Sequence, residues 1–371
     1  MSKAAELAAL IGSGQAQGNR NLIINGAMQV AQRGTSAVTV GAGSFVVDRF
    51  KTYESTDGAY TIEQSTDAPD GFTTSLKGQV TTADTSIAAG QYAYWPYYVE
   101  AQDLQHLSYG TSSAKTLTLS FWVKSNKTGV YTLAVYKPDT TSYMFTHEYT
   151  ISSADTWENK TITIAPTAGS TSFITSSGGA IANDNGPGLI LSWNLSFGST
   201  FTGGTSNSWS NDTSDYSTTN AVNWMDNTSN NFYLTGVQLE IGEVATPFEH
   251  EDFGTTLAKC QRYYYKISVD TQYDTFMVAD NDTTTTANGT NSFPVTMRDS
   301  PTAIETSGTA AHYEVRTASG SVACNDVPTL IRTTTNTAYT HFLVASGLTA
   351  GNASTLRAAN TSAYLAWSAE L

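Results

Sequence analysis

Charge is scarce in this sequence. Asp, Glu, Lys and Arg make up 13% of its 371 residues, about half the usual quarter. Basic residues are the scarcer kind, 18 against 32 acidic, which leaves a net charge of −14. Such a chain repels polyphosphate and anionic headgroups, so nucleic acid is a poor partner and membrane insertion is not expected. The two cysteines, Cys260 and Cys324, exclude a disulfide framework and a four-ligand zinc site, and suit thiols in a reducing cytosol. No run of about 18 apolar residues exists to span a bilayer. Near the amino end, Glu6 interrupts the apolar residues, which argues against a secretory signal.

Catalytic patterns are missing as well. The five histidines (His106, His147, His250, His312 and His341) stand in no metal-binding spacing. Neither a Gly-x-Ser-x-Gly elbow nor a Walker-type glycine loop occurs. Asp155 with Glu158, and Glu249 with Glu251, read as chance neighbours in an acidic chain rather than a glycosidase pair. The Asn/Asp-rich stretches at 183–185 and 280–282 lack EF-hand spacing and read as solvated turns. No enzyme, cofactor or metal is expected from these patterns.

Threonine is abundant, roughly one residue in six against ordinary usage. With 40% hydrophobic and 11% aromatic residues, the chain is too apolar to be disordered. It is also longer than a single core comfortably fills, so two domains are expected. Residues 1–18 read as a short helix and tether: Ala4, Leu7, Ala8 and Ile11 share one helical face, and Gly12 follows as a stop. Ten residues of helix are too short to stand alone in water, so this apolar stripe is predicted to dock into something larger.

From 19 to 251 the chain alternates with period two. Leu117, Leu119, Phe121 and Val123 alternate with Thr116, Thr118, Ser120, Trp122 and Lys124, a strand with one apolar and one hydroxyl face. Runs at 130–137, 157–165, 189–197 and 232–241 repeat the pattern between Gly, Asn, Asp and Pro clusters. An antiparallel jelly-roll-like β-sandwich follows, and no βαβ alternation appears. Residues 252–264 carry Leu257, Cys260, Gln261 and Tyr264 at helical spacing and predict a linking helix with Asp252 or Thr255 as cap. Residues 265–371 predict a second, smaller sandwich whose last strand ties down the carboxyl end. The predicted class is all-β, two sandwiches joined by a short helix.

Three segments mix aromatic rings with hydroxyls, amides and carboxylates, the chemistry that meets a sugar's CH faces and hydroxyls. The run YAYWPYY at 92–98 offers Trp95 and Tyr97; the Ser/Asn-rich stretch after it offers Trp209, Asp212 and Tyr216; Trp224 follows among Asn and Asp. These six are the candidate glycan contacts, with core or edge packing as the alternative for the first run and a subunit contact for Trp209 and Trp122.

Several blocks carry a resemblance. NRNLIINGAMQVAQRG (19–34), DRF (48–50), KTLTLSFWVKS (115–125), GVQLEIGEVATPFE (236–249), KCQRYYY (259–265), FPVTMR (293–298) and the closing SAEL together resemble a family of bacteriophage tail-fibre and receptor-binding proteins common in marine phages and cyanophages. The resemblance implies a virion protein, usually a homotrimer, whose first domain is a carbohydrate-binding-module-like jelly roll. It implies a non-enzymatic adhesin for host surface glycan, attached through its amino end. The alternatives are a purely structural virion component, such as a head fibre or tail adaptor, and a polysaccharide depolymerase. On the expectation that the carboxyl end is distal, His312, Tyr313, Arg316 and His341 become host-facing candidates. Within the blocks, Gln238 and Glu240 share the face opposite Val237, Leu239 and Ile241. They and Asp48-Arg49-Phe50 read as structural pins rather than ligand contacts.

Overall fold

The computed structural model describes residues 20–41 and 43–371. The helical docking face expected at Ala4, Leu7, Ala8 and Ile11 lies outside them. Two compact units divide the chain, one ending at Thr256 and one running from Leu257 to Leu371.

In the first unit, thirteen strands occur among the described residues: β1 (Val38–Thr39), β2 (Ser44–Phe45), β3 (Lys51–Glu54), β4 (Ala59–Ser65), β5 (Ser75–Thr82), β6 (Tyr92–Glu100) and β7 (Leu117–Lys124). Then follow β8 (Gly129–Lys137), β9 (Tyr143–Ile151), β10 (Glu158–Ile164), β11 (Pro187–Phe197), β12 (Ser208–Ser210) and β13 (Asn231–Ile241). They build two antiparallel sheets, ordered β1-β4-β5-β13-β7-β10 and β12-β9-β8-β11-β6-β3-β2. The chain passes repeatedly from one sheet to the other, as in a jelly roll. The alternation read from the sequence sets the packing: Leu119, Phe121 and Val123 of β7 meet Leu133, Trp193 and Tyr149 from the opposite sheet in one core. Phe121 sits edge-on to both Trp193 (5.8 Å) and Tyr149 (5.3 Å).

Where the chain enters and leaves this sandwich, polar side chains stitch it shut. Asn21 accepts from Leu239 N (3.0 Å) and donates to Val237 O (3.1 Å), binding the entering segment to β13. Gln238 and Glu240 are fully buried. Glu240 accepts from Thr246 N (2.8 Å), Thr246 Oγ1 (2.7 Å) and Gln238 Nε2 (3.0 Å), while Gln238 Oε1 accepts from Glu249 N (2.8 Å). Asn25 links Val30 and Asp48 through three bonds of 2.9–3.0 Å, and the buried Asp48 accepts from Gln32. Arg49 donates to Tyr98 O at 2.7 Å. A bulge in β13 places Gly236 at φ +59°, where a Cβ would stand 2.7 Å from Phe72 and 2.8 Å from Trp122. Only glycine fits that approach. Trp122 itself lies half-buried on the outer face of its sheet.

A helix, α1 (Phe253–Gln261), spans the division between the units. Asp252 caps it, accepting from Thr255 N (2.9 Å) and Thr255 Oγ1 (2.6 Å). It stops at Gln261, short of the predicted Tyr264, because Tyr264 is claimed by strand pairing with Ser368.

The second unit holds β14 (Tyr264–Ser268), β15 (Thr275–Asn281), β16 (Thr286–Ser292), β17 (Glu305–Thr306), β18 (Tyr313–Thr317), β19 (Gly320–Ala323), β20 (Thr329–Thr333), β21 (Thr337–Leu343), β22 (Ala353–Ala358) and β23 (Tyr364–Ser368). They form antiparallel sheets ordered β19-β18-β22-β15-β16-β21-β20 and β14-β23-β17. Tyr313, Phe342, Leu356, Leu365 and Trp367 form the core between them. Arg298 donates to Ala369 O (2.6 Å) and Glu370 O (3.2 Å), tying down the carboxyl end. Among the described residues the fold is thus all-β with antiparallel sheets, apart from α1 and short 3-10 turns.

Two predictions follow from this core. Glu240→Ala strips the acceptor from three donors around Thr246 and Gln238. It should cost about 3 kcal/mol, the scale of buried polar groups left unpaired, read as a lower urea midpoint; an unchanged midpoint would refute the pinning role. Burial also holds the hydroxyls of Tyr60, Tyr109, Tyr131 and Tyr149 well above the ordinary pKa of 10.0. The unfolded chain releases these protons near pH 10 while the native fold keeps them, so stability present below pH 10 is lost as pH rises further. The share of the phenolate absorbance that belongs to these four should therefore appear only together with loss of the β signal, and ionisation of all phenols in the intact fold would contradict this.

Candidate functional site

Strand β6 decides where the aromatic residues of its run go. Ala93, Trp95, Tyr97 and Val99 point into the sandwich and are buried, while Tyr92, Tyr94 and Tyr98 take the opposite parity and stand half-buried on the outer face. Neighbouring strands extend that outer face. Tyr53 of β3 pairs with Tyr94 across the strands, and their rings stack at 5.3 Å with planes 14° apart. On the other side, a bulge between Asn194 and Ser196 interrupts the register of β11 with β6. The extra residue flips the parity, so Phe197, paired with Tyr92, joins the outer rings instead of the core.

Beyond the edge strand β12, residues 211–222 form a strap over the outer face of β8, β9 and β11. Outward polar side chains hold it: Thr132 Oγ1 donates to Ser217 Oγ (3.0 Å), Asn194 Nδ2 to Tyr216 O, Thr146 Oγ1 to Asp215 O, and Asn220 Nδ2 to Glu148 Oε1 (3.0 Å). The strap delivers Tyr216 against Phe197, stacked at 5.5 Å and 15°, and beside Tyr94 at 5.8 Å. Phe201 closes the group, 5.8 Å from Tyr92 and 5.6 Å from Phe197. Six rings (Tyr53, Tyr92, Tyr94, Phe197, Phe201 and Tyr216) thus touch in an unbroken half-exposed surface. Burial, then the neighbouring phenols, push the Tyr94 and Tyr98 hydroxyls far above the ordinary range, and burial raises that of Tyr216. These phenols stay protonated at physiological pH and can both donate and accept. Rings for CH faces, edged by hydroxyls, are what a saccharide needs.

The structure redistributes the six glycan candidates. Trp95, Tyr97, Trp209 and Trp224 are corrected to core residues, each at most 2% exposed. Their polar atoms are spent internally: Trp95 Nε1 donates to Tyr60 OH (3.2 Å), Tyr97 OH accepts from Ile24 N (2.7 Å), Trp209 Nε1 donates to Ala165 O (2.9 Å), and Trp224 Nε1 to Asn231 O (2.9 Å). Tyr216 is on the ring surface. Asp212 is exposed in its own turn, where hydrogen bonds from Ser214 hold its carboxyl below the usual range. Tyr53, Tyr92, Tyr94, Phe197 and Phe201 were missed in the sequence. The signal was parity: Trp95 and Tyr97 keep company with Ala93 and Val99, whereas Pro96 and Glu100 share the parity of the outer tyrosines.

In the second unit, the four host-facing candidates do not converge. Tyr313 is corrected to a core residue, fully buried with its hydroxyl donating to Tyr364 O at 2.8 Å. His312 Nδ1 lies 2.9 Å from Ser307 Oγ at the start of β18. Arg316 and His341 share the outer face of the seven-stranded sheet, but β22, β15 and β16 stand between their strands. Four strand spacings put them about 19 Å apart. Carboxylates are also occupied structurally: Glu158 accepts from Ser152 N and Ser153 N, and Glu249 from Asn21 N. Among the described residues, no three His, Cys, Asp or Glu side chains group to hold a metal ion, and no helix is long and apolar enough to cross a membrane.

No protein-family model matches the chain, and no curated protein matches it. Several solved structures align with it at low similarity. The enzymatically active domain of tailspike protein 4 from bacteriophage CBA120 aligns over 60% of this chain at 12% identity and a TM-score of 0.30. This chain spans 22% of that tailspike's length. The CBM22-1 xylan-binding domain from Paenibacillus barcinonensis Xyn10C aligns over 61% of this chain and 96% of its own, at 9% identity and a TM-score of 0.29. The family 11 carbohydrate-binding module from Clostridium thermocellum covers 57% of this chain and 99% of its own, at 11% identity and a TM-score of 0.29.

Proposed function

We propose that this chain is a non-enzymatic phage tail-fibre subunit that binds a host surface glycan through the tyrosine face of its first unit. One observation carries the glycan reading: six aromatic rings in mutual contact stand half-exposed on the outer face of a sheet, each row of them positioned by strand pairing, a bulge or a hydrogen-bonded strap. A fold with no use for that surface would cover it or replace it with polar residues. The tail-fibre reading rests on the sequence blocks at 19–34, 236–249 and 293–298. In this reading the chain works as a homotrimer on the virion, where three weak glycan contacts add through avidity. The amino-terminal segment docks to a phage tail protein. Binding alone is the activity, with no cofactor.

Tyr94 sits at the centre of the ring cluster, contacting Tyr53, Tyr92, Phe197 and Tyr216. Tyr94→Ala should weaken binding to host cells or to a glycan array by about tenfold or more, the scale of one lost stacking contact with its buried area. The protein should still melt in one cooperative transition, lowered by the lost ring contacts, because the residue lies outside the core. Full binding by a folded Tyr94→Ala protein would remove the face from the mechanism. Deleting residues 1–18 should leave a soluble oligomer that no longer joins particles; incorporation of the truncated chain would refute docking. Host polysaccharide incubated with the protein should yield no new reducing ends, and their appearance would favour the depolymerase reading.

A further inference from the structure

The seven-stranded sheet of the second unit has a second layer on one side only. Its inner residues, among them Met277, Ala279, Ala287 and Leu356, pack with Leu365 and Trp367 of the three-stranded sheet. The opposite parity has no layer over it within the unit. In the order β18, β22, β15, β16, β21 and β20 it presents Arg316, Thr355, Val278, Thr290, Tyr339 and Arg332. Val278 belongs to the middle strand of the seven and is 72% exposed. One exposed valine decides nothing by itself; the residues around it do. At the rim, Tyr273 is half exposed at φ +76° and lays its ring over Arg357, 4.6 Å from Cζ to centroid. Backbone strain of that kind collects at working surfaces.

We infer that this outer face is where copies of the chain meet, which rests on the homotrimer reading and gives it a surface. Charge selects a second copy as the occupant. The first unit holds 11 basic and 23 acidic residues, net −12, and the second holds 7 and 9, net −2. Copies drawn together repel through their first units, so close contact falls to the second. The seven strands contain no lysine, and their one glutamate, Glu314, is buried against Arg357. Tyrosine and arginine without lysine or open glutamate is the composition of an interface core. Thr290, Thr355 and Val278 are stiff at χ1, so covering them costs little entropy. The size also fits. Six strand spacings and the mean strand length give a face of about 29 Å by about 19 Å. That flat footprint of about 550 Å² grows with side-chain relief toward the roughly 800 Å² per partner of a standard interface. In a closed trimer each copy turns this face toward the threefold axis, and the β18 side of one meets the β20 side of the next. Arg316 and His341, host-facing in the sequence reading, become subunit contacts in this arrangement.

The test measures the mass of the full chain by light scattering across a dilution series, for the parent and for Val278→Asp, Val278→Arg and Val244→Asp. Val244, 68% exposed in the first unit, is the control. Retention of the β signal shows that each variant is folded. The expected result is an oligomeric parent whose dissociation constant rises about a hundredfold or more in both Val278 variants, the scale of a charge buried without a partner. Val244→Asp should assemble like the parent. Hydroxyl-radical labelling of the parent needs no substitution. Val278 and Tyr273 should be protected in the oligomer, while Val244 is labelled. An oligomeric parent with Val278 labelled as fully as Val244 would overturn the face and leave the trimer standing. Unchanged assembly of the folded Val278 variants would do the same. A parent that stays monomeric at assembly-level concentration would overturn both.

Discussion

The parity of β6 is the constraint on which the candidate site depends. A pleated strand sends alternate residues to opposite faces, and a one-residue slip would exchange every one of them. Two internal bonds prevent that slip, from Trp95 Nε1 to Tyr60 and from Ile24 N to Tyr97. They place two large aromatic side chains in the core and thereby force Tyr92, Tyr94 and Tyr98 outward. The core and the outer aromatic face are thus two sides of one decision. Strengthening either interior contact also fixes the exterior one.

The same economy applies to the polar residues. Gln238, Glu240, Asn21, Asn25 and Asp48 are buried or half-buried, and every one makes hydrogen bonds across turns or between chain segments far apart in sequence. Those bonds close the sandwich where its first and last segments meet. Blocks of sequence that look like signatures are here mostly devices of closure, and the surface that could meet a ligand is drawn from less distinctive stretches. On the outer face, Thr132, Thr146, Glu148 and Asn194 serve a further purpose, holding the strap that carries Tyr216 to the rings.

Much of the architecture was legible in the residues. The alternation of β7, β8, β11 and β13 was readable because Leu, Val and Phe repeat every second position. Strands such as β16 (TANGTNS) and β22 (ASTLRA) were not, because their small polar residues carry no contrast between faces. The site was half legible. The segments 92–98 and 209–216 were the right places to look, yet Trp95, Tyr97 and Trp209 were chosen for ring size, and the largest rings are the ones a core most gains by burying. Tyr216 was reached because it is a tyrosine in a hydroxyl-rich loop.

By itself the sequence determined the all-β class, the strand positions with strong alternation and the helix capped by Asp252, since each depends on neighbours within a few residues. Only the tertiary structure decided which parity faces out, where the bulge turns Phe197 and which loop returns Tyr216 to Tyr94. Those outcomes depend on which strand lies beside which, and pairing partners such as β3, β6 and β11 are more than a hundred residues apart at their extremes. Local pattern can say that a residue alternates; only the assembled sheets can say which side is inside.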